Sequence, residues 1–261
     1  MKTSSIIGIQ FSILSPEQIR KSSVAKIVSK ETYNNNKPVI GGIFDPRMGI
    51  LEPGFICPTD GLNYIQCPGY FGHLELARPV FYIQYLSTIV KILKCVCLKC
   101  SKLLINKSTY LYLLQQDPKK RWTSMYELTS KIKRCGDDNE NGCGYVQPEK
   151  IKKEGLATVI AEWSNKLTDN QSIVKKLPPE LIARIFKRIS DEDVNFMGFS
   201  ATFSRPEWMI CEVLAVPPPC VRPSVKHDAQ QRSEDDLSHI IISIIKANRK
   251  RLNPSIGFLT E

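Results

Sequence analysis

Two tight cysteine groups constrain the fold of this 261-residue chain more than any other feature. Cys97-x2-Cys100 is followed downstream by Cys135-x7-Cys143. Two cysteines two residues apart can close on one metal ion through a tight turn, and a second pair completes a tetrahedron of four thiolates around Zn²⁺. Four protein ligands leave no open position, so such a site is structural and contributes folding free energy directly. It would tie the two ends of the intervening segment together. Spacing alone leaves a second reading open, because Cys135 and Cys143 are wider apart than the usual second knuckle and also read as unrelated loop thiols. Cys95 lies in the same knuckle and competes as a ligand, although the CxxC geometry favours Cys97. Nine cysteines, an odd number with CxC and CxxC spacings, fit thiolate ligands in a reducing compartment better than a secreted disulfide scaffold.

At 42% hydrophobic and 24% charged the composition is that of a globular protein, long enough for one or two domains. The net charge of +10 suits a polyanionic partner, nucleic acid or an acidic protein, or else a solvated basic surface with no partner. The charge is concentrated. Residues 91–153 carry 14 Lys/Arg against 6 Asp/Glu, so the excess surrounds the cysteine groups. The N-terminus lacks the apolar run and cleavage pattern of a secretory signal. The most apolar stretch, Val80 to Leu93, is broken by Gln84 and Lys91 and is too short to span a bilayer. The expectation is a soluble, intracellular protein with no membrane partner.

Partial alternation over residues 6–14 predicts a strand. Ser15-Pro16-Glu17 supplies an N-cap, a proline at the first helical position and an acid in the first turn, predicting a short helix through about Val24. Asn34-Asn35-Asn36, Gly41-Gly42 and Asp45-Pro46-Arg47 punctuate as loops and turns. Residues 57–73 are loop-rich. A helix is expected over residues 79–93, a strand at KLLI after the knuckle, and a helix from Asp117-Pro118 to near Cys135. That last helix has Trp122, Met125, Leu128 and Ile132 on one face. Residues 136–144 form a turn-rich return. Leu177-Pro178-Pro179 starts a helix with Leu181, Ile182, Ile185, Phe186 and Ile189 on one face, Ser190 starts a shorter one, and the last runs from about Asp235 to Leu252. Between them, Ser204 to Val225 carries Pro217-Pro218-Pro219. Three consecutive prolines favour a stiff, extended path that delivers Arg222 to a set place.

Several blocks, in order along the chain, resemble the largest subunit of multisubunit DNA-directed RNA polymerases of the eukaryotic polymerase II type. They are SPEQIRKSSV from Ser15, GGIFDPRMG from Gly41, CPGYFGHLELARPV from Cys67, the CxxC knuckle, SRPEWMICEVLAVPPPCVRPSV from Ser204, and QRSEDDL from Gln231 leading to Ile245-Lys246-Ala247-Asn248. The resemblance implies an α+β fold: a helix-rich polymerase clamp with short strands, turn-rich loops and a structural zinc site. Residues 1–85 and 209–261 would form the clamp core, and residues 86–208 a zinc-stapled clamp head. A lid-like loop at about 222–234 would place Arg222, Lys226 and Arg232 near the phosphates of an RNA–DNA hybrid, where cations contribute sequence-independent affinity. The family also places a zinc ligand at each of Cys97, Cys100, Cys135 and Cys143.

The family's other zinc motif is degenerate here. Asp60 stands where its second cysteine would be and Tyr70 where its ligand histidine would be, leaving Cys57 and Cys67. The site is then empty or weakened, or Asp60 and His73 substitute as ligands, or the thiols are incidental. An empty or weakened site is the favoured reading, with His73 a hydrogen-bonded structural residue.

The implied partners are the remainder of the largest subunit, the other polymerase subunits, template DNA and the RNA–DNA hybrid, in the nucleus or in a viral factory or virion. The family's catalytic aspartate motif is missing, so the chain is expected to have no catalytic residues and no activity alone, with Mg²⁺ bound only in the assembled enzyme. It would be a split subunit, a fragment or one exon. The alternative is a free-standing zinc module that binds nucleic acid or protein. A cross-braced ubiquitin ligase would need two intact interleaved sites, which Asp60 and Tyr70 argue against.

Overall fold

Ser15 opens the first helix as the sequence indicates. Its hydroxyl accepts from the Gln18 N–H at 3.1 Å, and the Gln18 side chain accepts from the Ser15 N–H at 2.9 Å, a reciprocal capping box. The computed structural model describes residues 5–35, 37–138, 141–164, 172–227 and 232–252. In chain order the elements are α1 (Pro16–Ser22), β1 (Ala25–Lys26), β2 (Tyr33–Asn34), β3 (Lys37–Pro38), β4 (Gly72–Phe81) and α2 (Leu86–Cys95). Then come α3 (Pro118–Thr129), β5 (Lys150–Glu154), β6 (Thr158–Ser164), β7 (Ser172–Leu177), α4 (Pro179–Lys187) and α5 (Asp191–Phe196). The last are β8 (Ile210–Val216), β9 (Val225–Lys226), β10 (Arg232–Ser233) and α6 (Asp236–Leu252). Helix and strand are mixed, in keeping with the α+β class. No helix among the described residues is long and apolar enough to cross a membrane.

The chain divides into two units. Unit 1 comprises residues 1–14 and 79–211, and unit 2 comprises residues 15–78 and 212–261. The chain leaves unit 2 along β4 and returns along β8, which are neighbours in the sheet β1–β4–β8.

Unit 1 is built on an antiparallel meander, β5–β6–β7. Lys152 lies opposite Ile160, and Ile160 opposite Lys176. One face of the meander contributes Ile151, Val159, Ala161 and Leu177 to a core shared with Ile89, Ile92 and Leu93 of α2, Met125 of α3 and Ile182, Ile185 and Phe186 of α4. Each of these side chains except Ala161 stabilises the unit by about 1.5–3 kcal/mol through the apolar area it removes from water. Ser190 caps α5 by accepting from the Asp193 N–H. Gly198, at φ +95, follows α5, and a Cβ there would lie 2.6 Å from the Pro118 carbonyl, so only glycine permits α5 to end so close to the start of α3.

Unit 2 packs Ile27, Ile43, Phe44 and Met48 against Leu74 of β4, Val216 of β8 and Ile241 and Ile245 of α6. Asp45 fixes its DPR turn. The buried carboxylate accepts from the Gly41 N–H at 2.6 Å and from the Arg47 guanidinium at 2.9 and 2.7 Å. Gly69, at φ +82, is a second forced glycine, because a Cβ would meet Pro218 and Cys220 at 2.8 Å.

Several sequence expectations shift. Residues 5–14 form no strand: Ile6 and Ile7 are 90% and 99% exposed, and alternation without a partner ladder does not hold a strand. The helix expected at 79–93 begins only at Leu86, because residues 72–81 extend β4. KLLI makes only an isolated bridge, Val96 to Leu103. α3 stops at Thr129, short of Cys135.

Candidate metal centre

The two cysteine pairs stand on two small turns. After α2, Val96 bridges to Leu103, the Cys97 N–H donates to the Lys102 carbonyl, and the Ser101 N–H donates to the Cys97 carbonyl, both at 2.9 Å. Ser101 takes φ +62, a left-handed conformation uncommon for a non-glycine, and this folds Cys97 and Cys100 onto one side. The second arm repeats the device. Arg134 bridges to Val146, the Cys135 N–H donates to the Tyr145 carbonyl, and the Gly144 N–H donates to the Cys135 carbonyl.

The four sulfurs converge, all within 4.8 Å of one another. Cys97 Sγ lies 3.6 Å from Cys143 Sγ, and Cys100 Sγ 3.7 Å from Cys135 Sγ. A tetrahedron with Zn–S of about 2.3 Å has edges of about 3.8 Å, so these spacings fit one ion. They are far too long for a disulfide, whose S–S length is about 2.05 Å, and all nine cysteines are free. Four soft thiolates suit zinc.

The donors are supported from behind. Cys97 Sγ accepts from the Lys99 N–H at 3.4 Å and from Gln147 Nε2 at 3.3 Å, while Gln147 also donates to the Tyr145 carbonyl. Gln147 is buried and was not singled out by the sequence, where an isolated glutamine carries no signal. Burial, with the neighbouring thiols, pushes the Cys135 thiol up to about 12. At Cys143 burial pushes upward too, but hydrogen bonds from the Tyr145 N–H and the other three thiols outweigh it and bring the thiol down to about 7. Cys143 is therefore the first of these two to ionise. Cys95 is not part of the cluster. It is buried in the unit 1 core, where the Thr129 hydroxyl donates to its sulfur at 3.2 Å, and burial pushes its thiol up to about 12.

The degenerate motif is assembled differently. Cys57, Asp60 and Cys67 bring three donor atoms within 4.8 Å, but His73 is not among them. His73 lies on β4 with Nδ1 2.7 Å from the Ser23 hydroxyl. The Asp60 carboxylate is already engaged, accepting from the Leu62 N–H at 2.9 Å and from the Tyr70 hydroxyl at 3.1 Å. The Cys57 thiol donates to the Pro46 carbonyl at 3.8 Å. Three donors, one of them a committed carboxylate, do not make a closed four-ligand zinc site.

The lid arginines are turned inward, unlike the sequence expectation. Arg222 is 0% exposed. Its Nε donates to the Pro217 carbonyl at 2.9 Å, and its terminal nitrogens donate to the Ile43 carbonyl at 2.6 Å and the Ser238 hydroxyl at 3.3 Å. The guanidinium also sits 5.1 Å from the Phe44 ring centroid. Burial brings its pKa down to about 10 even though Asp235 and Glu234 pull it up. The prolines thus deliver Arg222 to a set place, but that place is the core of unit 2. Arg232 pairs with Glu52 and lies 3.8 Å over the Tyr33 ring. Lys226 stands opposite Arg232 in the β9–β10 ladder, and its side chain lies outside the described residues. Residues 228–231, the tip of the expected lid, also lie outside them.

The sequence model of RNA polymerase Rpb1, domain 1, matches residues 3–254. The chain therefore belongs to that family, the amino-terminal region of the largest subunit of RNA polymerase.

Proposed function

We propose that this chain acts as the clamp of a DNA-directed RNA polymerase, with unit 2 as the clamp core and unit 1 as a zinc-stapled clamp head closing over template DNA and the RNA–DNA hybrid. The observation that carries this reading is the family match over residues 3–254, which spans both units. The four converging sulfurs support it, because they could hold a metal staple in unit 1 at the positions where the family resemblance expects one. Zinc here would be held by Cys97, Cys100, Cys135 and Cys143. Its chemistry would be cross-linking, since four thiolates leave no position for substrate or water.

The meander strands favour a polyanionic partner. Lys150 and Lys153 of β5 and Lys175 and Lys176 of β7 are exposed. Such cations contribute salt-sensitive attraction to a phosphate backbone without reading its sequence.

No catalytic step is assigned to this chain. Its acidic clusters serve local structure: Asp193 pairs with Lys107 at 2.8 Å, Asp138 accepts from the Asn106 N–H at 3.0 Å, and Asp235 accepts from the Leu237 N–H at 2.9 Å. Nucleotidyl transfer needs carboxylates clustered around metal ions, and these are committed elsewhere. The Mg²⁺ chemistry therefore falls to the rest of the assembled enzyme.

Affinity capture of the tagged chain from cells that make it tests the reading. Recovery with the other polymerase subunits and RNA synthesis activity is expected. Recovery as a lone monomer would overturn it.

A further inference from the structure

Unit 1 contains an open cleft of about 500 Å³ away from the cysteines. Its walls come from a short 3-10 helix (Leu111–Gln115), from α3 and from the end of α5. Leu111 and Leu114 are largely exposed, Phe196 is buried and Phe199 is half-buried. Phe199 is held in place by the Trp122 ring, 4.9 Å away centroid to centroid. The close approach at Gly198 fixes one wall against the other. The apolar surface is therefore preformed.

Two cations border it, and they differ. Lys107 is neutralised by Glu192 at 3.2 Å and Asp193 at 2.8 Å. Arg121 is not. Its guanidinium has no ion pair or hydrogen bond among the described residues, and its Nε is out of solvent with no partner. Leaving a buried N–H without an acceptor costs about 1–3 kcal/mol, more for a charged group, and buried polar groups are paired in the large majority of cases. Arg121 as a whole is half-buried and lines the cleft, so a ligand entering it can bring an acceptor to the guanidinium. A guanidinium presents a planar fork that matches a carboxylate. A bare phosphate or a nucleic-acid backbone would satisfy Arg121 and leave Leu111, Leu114 and Phe199 wet. An uncharged apolar segment would cover those residues and leave Arg121 an orphan.

We propose that this cleft docks an acidic segment of a partner protein, with an Asp or Glu carboxylate on Arg121 and a neighbouring apolar side chain against Leu111, Leu114 and Phe199. The proposal goes beyond the clamp reading and does not depend on it. The test uses the zinc-loaded full chain and three fluorescein-labelled probes at physiological salt: a peptide alternating Glu with Leu and Phe, a Glu/Ser peptide of equal charge, and an oligodeoxythymidine. The Glu/Leu/Phe peptide should bind at least about tenfold more tightly than the Glu/Ser peptide by fluorescence anisotropy. Arg121→Gln should weaken it by about tenfold or more, the scale of a charge-assisted hydrogen bond. Lys176→Gln, which removes one exposed charge from the meander, should change it by less than about twofold. Arg121 has no internal side-chain partner to lose, so the variant should keep its melting temperature. Leu114→Asp, at an exposed position, provides a second variant with the same expected loss. Equal binding of the two peptides, an equal loss in Lys176→Gln, Arg121-dependent binding of the oligonucleotide in preference to the peptide, or no binding of any probe would each overturn the proposal.

Discussion

Around Cys97 the backbone is irregular and four sulfurs meet at one point. Around Cys57 it is equally irregular, but among the described residues three donors meet, and the Tyr70 hydroxyl caps the carboxylate among them. Unit 2 fixes its loops by other means: the Asp45 carboxylate gathers Gly41 and Arg47, and the buried Arg222 guanidinium gathers Pro217, Ile43 and Ser238. Irregular chain can thus be gathered by a set of thiols that fits a metal ion, or by a charged side chain whose donors or acceptors are filled by backbone. The first kind would depend on an ion and on thiol ionisation. The second is self-contained, but fails badly when one partner is removed.

The largest test of this contrast is the staple. Zinc content should be about one per chain, and Cys97→Ser should remove it and abolish the cooperative melting of unit 1, since thiolate-bound zinc contributes about 10–16 kcal/mol in small zinc domains. Metal analysis with calorimetry reads both. Unchanged zinc in the variant would end the four-thiol assignment. Next in size, Arg222→Met should cost unit 2 about 2–5 kcal/mol in urea unfolding, because it strands the Pro217 and Ile43 carbonyls at about 1–3 kcal/mol each. Zinc content should stay the same, and a fall in it would break the separation drawn between the units. In the other direction, Asp60→Cys combined with Tyr70→His should raise zinc by about one equivalent, by replacing a committed carboxylate and its phenol cap with two free donors. No gain would mean that the loop geometry, not the donor set, excludes the ion.

The smallest effect is acid sensitivity. Burial pushes the Asp45 carboxyl up, but the Arg47 guanidinium and the Gly41 and Arg47 N–H groups hold it below its ordinary value of 3.8. Its contribution is therefore present above about pH 3.8 and lost as pH falls through the lower folded value. Desolvation, with Lys26 and Arg20, holds His73 below 6.5, so its contribution is present above that pH and fades on acidification. Melting of unit 2 across pH should show both windows. Asp45→Asn should remove only the lower one.

The readable parts of the sequence were those with local causes. Ser15, Asp117 and Ser190 each cap the helix they were expected to start. The CxxC turn also formed, because its hydrogen bonds close within a few residues; of the return expected at 136–144, residues 139 and 140 lie outside the described residues. The meander β5–β6–β7 was not legible. KIKKE and SIVKKL are too polar to show a buried face, and their pairing is set by β6 between them. Arg222 was misplaced for a related reason. Its basic charge suggested a phosphate, while the carbonyl acceptors that hold it lie as far away in sequence as Ile43. Likewise, the unpaired state of Arg121 is visible only once α3 and α5 are in place.

The excursion of residues 79–211 out of one strand and back along its neighbour also sets an order of events during synthesis. The first half of the host unit emerges from the ribosome with β8 and α6 still unmade, a wait on the order of ten seconds at usual elongation rates. Through that interval Leu74 and the Ile43–Met48 segment have no permanent cover. If the inserted unit folds and takes up its ion first, it shortens the effective loop that β8 must close, and the entropic cost of completing the host falls. Zinc supply would then govern the yield of the unit that does not carry the four-thiol cluster.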